Sequence, residues 1–577
     1  MRAFAALLLT AVVAHARALP DTPEHPSGWI DKSPVTSRRF MVATANPLAT
    51  RAGYDILRAG GNAIDAAIAV QLVLGLVEPQ SSGLGGGAFL LYHDARTKRL
   101  IAYDGRETAP EAATPDRFLG PDGEPLAFFD AVVGGRSVGV PGTVKLLETV
   151  HRRHGRLSWA RLFRRAIALA ETGFAVSPRL HALIAEETRW PQARAHDYFV
   201  TPAGEARATG SLLRNTAYAH TLRLLAAQGA KAFYTGPIAD DIVRTTGQAT
   251  RNPGDLTRSD LARYRVKTRE PVCDGYRSYR VCGMPLPSSG GLTVLQVLKM
   301  LEPYDVASMG PASFWSVHFT SEAERLAYAD RSVYMADPDF FHAPAGLLDD
   351  DYLRARSTLI STQRSIGIAL PGNPADHAGV RQQPWGRDAA ADFPSTSQVA
   401  IVDRDGNAVS MTTTIENGFG SRLMTEAGFL LNNELTDFSF VPVDNGIRVA
   451  NRVEAGKRPL SSMAPTIAYD RAGRVAIITG SPGGTAIIEY VVKTLLAIID
   501  WKLDPQAATA LPNFGSRNGP TELEQDTAVV ALAPKLRALG HEVRVIEETS
   551  GVQAIVRTRA GWIGGADPRR EGLVMGN

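Results

Sequence analysis

The chain has 577 residues, of which 44% are hydrophobic and 21% are charged, an ordinary composition for a globular protein with a large core. Lysine and arginine number 62 against 59 aspartates and glutamates, a formal net charge of +3. The basic residues are scattered instead of forming a stripe, so the sequence does not indicate a nucleic-acid-binding surface.

The first residues have the pattern of an export signal. Met1 and Arg2 give a positive start, residues 3–14 form a mainly apolar run, and residues 16–18 (ARA) offer an A-x-A cleavage site. The run is too short to span a bilayer. We therefore expect a signal peptide at residues 1–18, no stable membrane span, and a periplasmic or secreted mature protein. An uncleaved membrane anchor is the alternative.

The segment after the leader predicts a strand, two helices and a second strand. Residues 41–45 predict a buried strand, and Asn46 with Pro47 is typical of a helix cap and first turn. Residues 63–77 are apolar almost all round, which predicts a buried helix. Residues 81–92 are a glycine-rich turn running into a strand. A dinucleotide-binding loop needs the order strand, loop, helix; here a helix comes first, and we expect close backbone packing at a site wall.

The middle of the chain is mainly helical between residues 141 and 261, and further helices are expected near Gly291–Leu301 and Phe314–Ala336. Residues 364–392 are rich in proline, glycine, glutamine and aspartate without an apolar period. This pattern predicts an exposed, mobile segment. The amphipathic stretches of the helical region are Trp159–Thr172, Thr216–Gln228 and Pro237–Thr246.

The sequence has two cysteines, Cys273 and Cys282. Short strands on either side of residues 274–275 or 277–278 could bring them together, and an oxidising compartment favours a disulfide. Two buried free thiols are the alternative. Neither a histidine nor another thiol lies at ligand spacing, so a metal site is not expected there.

Strands dominate beyond residue 396. Residues 399–402 and 408–414 flank the sequence DRDGN, a strong hairpin signal. Both strands have little polar alternation, as expected for a sheet covered on each face. The remaining predicted elements are a strand at Val475–Thr479, a helix from about Thr485 to Asp500, and strands near Glu542–Ile546 and Val552–Arg557 that close the chain.

The register of this hairpin can be derived from its loop. If residues 404–406 form a three-residue turn whose glycine takes the left-handed position, residues 403 and 407 pair. Counting back along both strands places Thr396 opposite Thr414, with Cβ atoms roughly 5 Å apart. The Thr414 hydroxyl could then hydrogen-bond Thr396. A two-residue loop would turn Thr414 to the other face and leave it only a strand former.

Residues 393–398 (FPSTSQ) place a threonine where it could become an N-terminus. A hydroxyl is a poor nucleophile unless a base lies beside it. If the bond between Ser395 and Thr396 breaks, the new α-amino group, with an unperturbed pKa of about 8, is that base. Gly483 and Gly484 follow a strand and precede an apolar helix, where backbone N–H groups can face a developing oxyanion. Taken alone, this SPGG sequence is more often a plain turn.

Further motifs lie in order along the chain: residues 61–67 (GNAIDAA), 83–87 (GLGGG), 104–110 (DGRETAP), 139–142 (GVPG), 287–291 (PSSGG), 431–434 (LNNE) with 437–439 (DFS), 457–463 (KRPLSSM) and 480–484 (GSPGG). With FPSTSQ, they resemble the γ-glutamyltranspeptidases over nearly all of the mature chain. That family consists of autoprocessing N-terminal-nucleophile hydrolases. The resemblance implies an α/β fold, a four-layer αββα sandwich formed jointly by two chains cut from one precursor.

The resemblance also implies roles for residues at the reacting bond. The nucleophile and new N-terminus falls on Thr396, and its supporting hydroxyl falls on Thr414. The oxyanion hole falls on Gly483 and Gly484.

A second group of residues would bind the donor. Arg106 would grip the donor's α-carboxylate, because a guanidinium can bind a carboxylate through two hydrogen bonds. Ser461 and Ser462 would donate to the same carboxylate. Glu434 and Asp437 would face the donor's α-ammonium group.

Two departures from the family pattern concern the donor pocket. Glu416 stands where well-studied members have an asparagine that contacts the α-amino group, so the pocket gains an acid that suits an ammonium. The segment from Ser439 to Lys457 is shorter than in members that carry a lid, so we expect a partial cover and easier access for water and bulky leaving groups.

The implied activity is that of a γ-glutamyltransferase or glutathione hydrolase. It would act on glutathione or a related γ-glutamyl donor, with water, an amino acid or a peptide as acceptor, and without a cofactor or metal. Residues 19–395 would form a large subunit and residues 396–577 a small catalytic subunit, together a heterodimer. The alternatives are a cephalosporin or glutaryl-amide acylase on the same scaffold and a non-catalytic periplasmic binding protein.

Overall fold

The computed structural model describes residues 27–374, 385–390 and 395–577. The predicted signal peptide and Phe393 and Pro394 of the cut motif lie outside the described residues. Within the described part of the chain, no helix combines the length and apolar character needed to cross a membrane.

Two seven-stranded sheets form the centre of the molecule. Sheet 1 has the order β1-β20-β19-β15-β14-β9-β8, and sheet 2 has the order β21-β2-β10-β11-β3-β4-β7. The strands are β1 Val35–Ser37, β2 Met41–Thr44, β3 Gly87–Asp94, β4 Arg99–Gly105, β5 Phe174–Ala175, β6 Leu212–Leu213, β7 Lys267–Arg269, β8 Val272–Tyr276, β9 Tyr279–Gly283, β10 Thr396–Val402, β11 Ala408–Thr414, β12 Val443–Asp444, β13 Ile447–Arg448, β14 Thr466–Tyr469, β15 Val475–Gly480, β16 Phe514–Gly515, β17 Thr521–Glu524, β18 Val543–Ile546, β19 Gln553–Thr558, β20 Gly561–Ala566 and β21 Leu573–Gly576.

Helices cover the outer face of each sheet. α1 and α2 lie on sheet 2, whereas α13 and α17 lie on sheet 1. The α-helices are α1 Pro47–Arg58, α2 Ala63–Val77, α3 Phe128–Val132, α4 Thr143–His154, α5 Trp159–Leu162, α6 Arg164–Thr172, α7 Pro178–Glu186, α8 Ala193–Phe199, α9 Thr216–Gln228, α10 Lys231–Tyr234, α11 Pro237–Gly247, α12 Arg258–Arg263, α13 Gly290–Leu301, α14 Val306–Met309, α15 Phe314–Tyr334, α16 Asp350–Ser357, α17 Ile487–Ile499, α18 Pro505–Ala510 and α19 Ala533–Ala538.

The two sheets face each other across a buried interior. Successive residues of β3 point in opposite directions: Phe89 and Leu91 belong to the apolar cluster between the sheets and under the sheet 1 helices, whereas Leu90 belongs to the cluster under α2. Ser410 on β11 donates its hydroxyl proton across the interior to the Thr479 carbonyl on β15 at 2.8 Å. The four layers are therefore helix, sheet, sheet and helix, and the predicted αββα sandwich is confirmed.

The first two helices form where the sequence predicts them. The Asn46 side chain accepts the Leu48 amide proton and Pro47 occupies the first turn of α1. Asn62 and Asp65 form a reciprocal capping box at the start of α2. All residues of α2 are buried, which confirms the prediction of a helix buried on every side.

One predicted helix of the middle region is divided in the structure. The helix expected at Trp159–Thr172 is two helices, α5 and α6, divided at Phe163. Phe163 is buried, and its ring packs 4.8 Å from that of Trp159. Phe163 is part of the buried apolar cluster under α2.

Residues 364–392 were predicted to be exposed, but only some of the described residues in this segment are exposed. Leu370 is 78% exposed, but Ala369 is buried and donates its amide proton to Asn518 Oδ1 at 2.7 Å. Trp385 packs on Phe341 with ring centroids 5.0 Å apart. Residues 375–384 and 391–394 lie outside the described residues.

Two strands at the end of the chain were not predicted. β20 and β21 follow β19, and β21 pairs with β2 in sheet 2. The glycines of β20 explain the omission, because glycine weakens a strand signal. A Cβ at Gly564 would lie 2.6 Å from Met41 Sδ, so close packing requires glycine there. The strand predicted near Glu542–Ile546 exists as β18, but it belongs to a small separate sheet with β16 and β17.

Cys273 and Cys282 are joined by a disulfide. They lie directly opposite each other on β8 and β9, with a Cα–Cα distance of 4.1 Å. The turn falls at residues 277–278, one of the two positions considered from the sequence, and Arg277 has a positive φ of 54°. The alternative of two free thiols does not describe this structure.

Candidate active site

The hairpin of β10 and β11 has the register derived from the sequence. Thr396 pairs with Thr414, and the Asp403 amide donates to the Asn407 carbonyl at 3.0 Å. Gly406 has a φ of +88°, the left-handed conformation that the three-residue turn requires. Every residue of both strands is buried, so the hairpin forms the middle of a covered sheet.

The Thr414 hydroxyl lies against the bond that is predicted to break. Thr414 accepts the Thr396 hydroxyl proton at 3.2 Å and the Glu416 amide proton at 2.9 Å. It donates its own proton to the Ser395 carbonyl at 2.6 Å. One proton and two lone pairs are thus all used, which fixes the direction of each hydrogen bond.

Residues beneath the hairpin hold the nucleophile strand in place. The Ser395 hydroxyl donates to the Gln80 carbonyl at 2.5 Å, and the Ser397 hydroxyl donates to Glu78 Oε2 at 3.0 Å. Burial raises the pKa of Glu78, although the nearby Arg179 charge opposes this shift. The bond that is predicted to break therefore lies between side chains that have fixed partners.

The glycine-rich turn at residues 83–87 packs closely against this hairpin. A Cβ at Gly86 would lie 2.0 Å from the Thr414 carbonyl oxygen, and a Cβ at Gly87 would lie 2.2 Å from Glu107 Oε2. Neither position tolerates a side chain without a shift of its neighbours. The prediction of close backbone packing at a site wall is confirmed.

Gly483 and Gly484 lie between β15 and α17, in a turn that begins a short 3₁₀ helix at Gly484–Ala486. Their φ angles are +141° and +56°. A Cβ at Gly483 would lie 2.5 Å from the Tyr490 ring. Gly484 lines the same cavity as Thr396, whereas Gly483 lies one residue behind it.

A small cavity of about 10 Å³ brings together the residues that the sequence places far apart. It contains nine of the ten predicted catalytic and donor-binding residues, and Gly483 is the exception. The lining consists of Arg106, Thr396, Thr414, Glu416, Glu434, Asp437, Ser461, Ser462, Met463, Gly484 and Ile487.

Arg106 forms the charged centre of this cavity. It follows β4 directly, is 1% exposed, and makes ion pairs with both Glu434 and Asp437. Its Nε and Nη2 atoms also donate to the carbonyls of Pro459 (3.2 Å) and Leu460 (2.8 Å). Burial alone would lower the pKa of Arg106, but the two carboxylates outweigh it and raise the pKa. The guanidinium thus stays charged in a dry site.

The two acids that pair with Arg106 come from one short 3₁₀ turn, Glu434–Asp437. Asn451 ties this turn to the serine-containing segment: its Nδ2 donates to the Asp437 carbonyl at 2.8 Å, and its Oδ1 accepts the Leu460 amide proton at 3.0 Å. Asn451 and Arg106 together therefore hold the acidic turn against the segment that precedes Ser461.

Glu416 joins the cavity from the end of the catalytic hairpin. It has a positive φ of 75°, an uncommon conformation for a residue with a side chain. Its carboxylate accepts a hydrogen bond from Asn433 Nδ2, while its amide donates to Thr414. The same residue therefore contacts the Thr414 hydroxyl through its backbone and adds a third acid to the pocket.

Two residues at the site were missed by sequence reasoning. Glu107 is fully buried beside Arg106, and burial raises its pKa to about 8 although the Arg106 charge lowers it. It lies within the DGRETAP motif, so its position next to Arg106 was a usable signal. Arg331 on α15 donates to the Ser462 hydroxyl at 2.8 Å. Nothing in the local sequence distinguishes it from an ordinary helical arginine.

The segment expected to form a partial cover contains a two-stranded ribbon of β12 and β13. The Gly386 amide, on the side of the chain before the cut, donates to the Arg448 carbonyl of this ribbon at 2.9 Å. The Lys457 ammonium donates to the Ala450 carbonyl at 2.7 Å and to the Arg452 carbonyl at 3.0 Å, which anchors the end of the segment.

An αββα sandwich with a threonine at the start of a central strand defines an N-terminal-nucleophile hydrolase. The comparison with protein families narrows this class. Residues 49–577 match the family model described as gamma-glutamyltranspeptidase, and the chain belongs to this family.

Known proteins agree with this assignment. The chain is 36% identical over 549 residues to the glutathione hydrolase proenzyme of Bacillus subtilis (strain 168), covering 93% of this chain and 91% of that protein. It is 34% identical over 548 residues to the acylase ACY 1 proenzyme of Pseudomonas sp. (strain V22), covering 93% of each. Among solved structures, the cephalosporin acylase from Bacillus halodurans superimposes with a TM-score of 0.81 at 28% identity, covering 98% of this chain and 99% of that one.

Proposed function

We propose that this enzyme is a γ-glutamyltransferase/glutathione hydrolase that cuts itself before Thr396 and then uses Thr396 as its nucleophile. The observation that carries the proposal is the hydrogen-bond chain from the Thr396 hydroxyl through Thr414 to the Ser395 carbonyl, at 3.2 and 2.6 Å. It lies in one cavity with an arginine and three acids suited to an amino-acid head group.

Self-cleavage begins with attack of Thr396 Oγ on the Ser395 carbonyl carbon. The Thr414 hydroxyl donates to the carbonyl oxygen, where negative charge develops in the tetrahedral intermediate. The C–N bond then breaks, the nitrogen takes the proton that the Thr396 hydroxyl loses, and an ester joins Ser395 to Thr396 Oγ. Water hydrolyses the ester, which leaves a carboxylate on Ser395 and a free α-amine on Thr396.

Turnover uses the same hydroxyl with the new amine as its base. Thr396 Oγ attacks the γ-carbonyl of the donor, and the amides of Gly483 and Gly484 stabilise the oxyanion. The proton passes through the α-amine to the leaving amine, and a γ-glutamyl ester remains on Thr396. Water releases glutamate from this ester, whereas the amine of an amino acid or peptide accepts the γ-glutamyl group.

The charges of the cavity suit a zwitterionic donor head. Arg106, Ser461 and Ser462 supply donors for the α-carboxylate, and Glu434 and Asp437 supply acceptors for the α-ammonium group. Without donor, Arg106 pairs with both acids. A donor head carries one charge of each sign, so it can take the place of these ion pairs without leaving a buried charge unpaired.

The subunits and the location follow the same proposal. Residues 1–18 would be removed on export to the periplasm or the outside of the cell. Residues 19–395 and 396–577 would then be the large and small subunits of a heterodimer. Because the chain belongs to an enzyme family, the alternative of a non-catalytic binding protein is rejected.

An acylase acting on glutaryl amides is the second candidate, and the likeness to a cephalosporin acylase favours it. A glutaryl group has the donor's carboxylate but not its ammonium. Glu416, Glu434 and Asp437 would then line the pocket without a cation from the substrate, which costs free energy in a buried site.

The two candidates differ in their preferred substrate. We expect the processed enzyme to hydrolyse γ-glutamyl-p-nitroanilide with a higher kcat/KM than glutaryl-p-nitroanilide, and Thr396→Ala to remain uncut and inactive as the control. A higher kcat/KM for the glutaryl compound would overturn the proposed donor and establish the acylase.

A further inference from the structure

The PSSGG motif at residues 287–291 has no role in the chemistry described above. It packs against the segment that carries Ser461 and Ser462. The Ser289 amide and hydroxyl both donate to the Ser461 carbonyl, at 2.8 and 2.7 Å. The Ser461 amide in turn donates to the Pro287 carbonyl at 3.0 Å. The motif therefore sets the position of the two serines.

Arg331 links this motif to the cavity. It lies near the end of α15, and its Nε donates to the Ser289 hydroxyl at 2.9 Å. Its Nη2 donates to the Ser462 hydroxyl at 2.8 Å. One guanidinium thus holds both a residue of the motif and a residue of the cavity wall, in a fixed planar geometry.

The direction of these hydrogen bonds sets what each serine can do. A hydroxyl has one proton and two lone pairs. Arg331 has only donors, so the Ser462 hydroxyl accepts from it and keeps its proton for another group. The Ser461 hydroxyl likewise accepts from the Met463 amide, at 3.1 Å. Both serines can therefore act as donors towards the cavity.

A second arginine lies beside the carboxylate end of the cavity. Glu416, Glu434 and Asp437 line it together with Arg106. Arg106 already pairs with two of these carboxylates, so an incoming carboxylate meets an arginine whose charge is largely compensated. Arg331 adds positive charge from the side where Ser462 lies. Its charge also acts on Asp388, opposing the rise that burial causes in the pKa of that acid.

We infer that Arg331 is a positioning residue of the donor's carboxylate site: through Ser462 it presents a proton to the α-carboxylate and supplies the second positive charge. The inference rests on the proposed function, since it assigns a role at the same donor pocket. Arg331 acts on the affinity and orientation of carboxylate-bearing donors and takes no part in bond breaking.

The test removes the carboxylate from the donor and the charge from Arg331. γ-Glutamyl-p-nitroanilide is compared with 4-aminobutanoyl-p-nitroanilide, which keeps the amine and lacks the α-carboxylate. In Arg331→Met, kcat/KM for the γ-glutamyl compound should fall by about 10- to 100-fold, mostly through KM, because a charge-assisted hydrogen bond is lost. The value for the 4-aminobutanoyl compound should change less than about threefold. Arg331→Lys should restore part of the loss, since it keeps the charge.

Folding of each variant is read from its self-cleavage into two bands. Arg354→Met is the matched control: Arg354 is exposed on α16 with 66% of its side chain accessible, and both donors should be hydrolysed as by the unmodified enzyme. An equal fall for both donors in Arg331→Met, or no fall for either, overturns the inference.

A second measurement is needed if a variant cuts itself poorly or if the carboxylate-free donor reacts too slowly to compare. Competitive inhibition by L-glutamate should weaken by the same 10- to 100-fold factor in Arg331→Met, and an unchanged inhibition constant overturns the inference. If the enzyme prefers glutaryl donors, the proposed function fails, but Arg331 is still tested by glutaryl- against butanoyl-p-nitroanilide, because the glutaryl group carries an equivalent carboxylate.

Discussion

The Thr414 hydroxyl uses its single proton on the Ser395 carbonyl and both lone pairs on Thr396 and Glu416. In the proposed self-cleavage it would both orient the attacking hydroxyl and stabilise the oxygen that becomes negative. Removing one such donor from an oxyanion typically costs about 100- to 1,000-fold in rate. The strand itself does not need the hydroxyl, because threonine and valine have similar shapes and both favour strands.

Thr414→Val should consequently slow self-cleavage by about 100-fold or more, while the protein still folds. Thr414→Ser keeps the hydroxyl and should cut within about tenfold of the unmodified rate. The time course of the two bands on a denaturing gel measures both variants. Cutting of Thr414→Val at the normal rate would show that the hydroxyl has no part in the reaction.

At the scale of elements, α15 meets the turn after α19 through two buried histidines. The Ser361 carbonyl can only accept, so His318 Nε2 carries a proton and donates to it, at 2.8 Å. His318 Nδ1 then accepts from His541 Nε2 at 2.7 Å, and His541 Nδ1 accepts from the Thr521 hydroxyl at 2.7 Å. This set of donors and acceptors holds when both rings are neutral, the state that burial favours by lowering the pKa of each.

This neutrality makes the contact sensitive to acid. Burial lowers the pKa of His318, and burial together with the neighbouring His318 and Arg325 side chains lowers the pKa of His541 to about 3. Both folded pKa values lie below the unfolded value of about 6.5. Between pH 6.5 and 3 the unfolded chain thus binds more protons, and folding stability falls as the pH falls.

His541→Gln should flatten this dependence by up to about 1.4 kcal/mol per pH unit, at the cost of some stability at neutral pH. The free energy of unfolding in urea, measured between pH 4 and 7.5, gives the slope. His220→Gln is the control, because His220 is exposed on α9 and should leave the slope unchanged. An unchanged slope in His541→Gln would contradict the neutral pair.

Elements with strong local signals could be predicted from the sequence. The cap at Asn46, the apolar run of α2 and the DRDGN turn each specify a structure by short-range physics, and each is present. β20 pairs with its neighbour β19, but its glycines weaken the strand signal, whereas β21 is defined by pairing with β2, more than 500 residues away in the chain.

In the candidate site, too, some contacts could be predicted from the local sequence and others could not. The opposition of Thr396 and Thr414 follows from counting along one hairpin, because the two residues are 18 positions apart. Arg106 and Glu434 are separated by 328 positions, and no local rule places them together. Their meeting was expected only from the resemblance to a family, and Arg331 was missed because its contact with Ser462 spans 131 positions.

At the scale of the whole molecule, segments from before and after the predicted cut contribute strands to both sheets. In sheet 2, β2 lies between β21 and β10, and β11 pairs with β3. In sheet 1, β1 pairs with β20, and β9 pairs with β14. Strands from before and after Thr396 therefore share main-chain hydrogen bonds at five boundaries.

The Lys32 ammonium adds a further link between the two parts. It donates to the carbonyls of Asp567, Arg570 and Gly572 at 2.6–2.7 Å. The apolar cluster under α2 also includes Val399 and Ile401 from β10. Salt screens exposed charges strongly but has little effect on buried apolar contacts and main-chain hydrogen bonds. Separation of the two parts therefore requires unfolding of both sheets.

The cut pair should consequently behave as one folding unit. With a purification tag after Asn577, the large fragment should stay bound through a wash in 2 M NaCl and elute only in denaturant. Heating should give one cooperative transition, within a few degrees of that of uncut Thr396→Ala, because cleavage breaks one bond and leaves the sheets intact. Release of the large fragment by salt alone, or two separate transitions, would mean that the strands do not bind the fragments together as the sheet order requires.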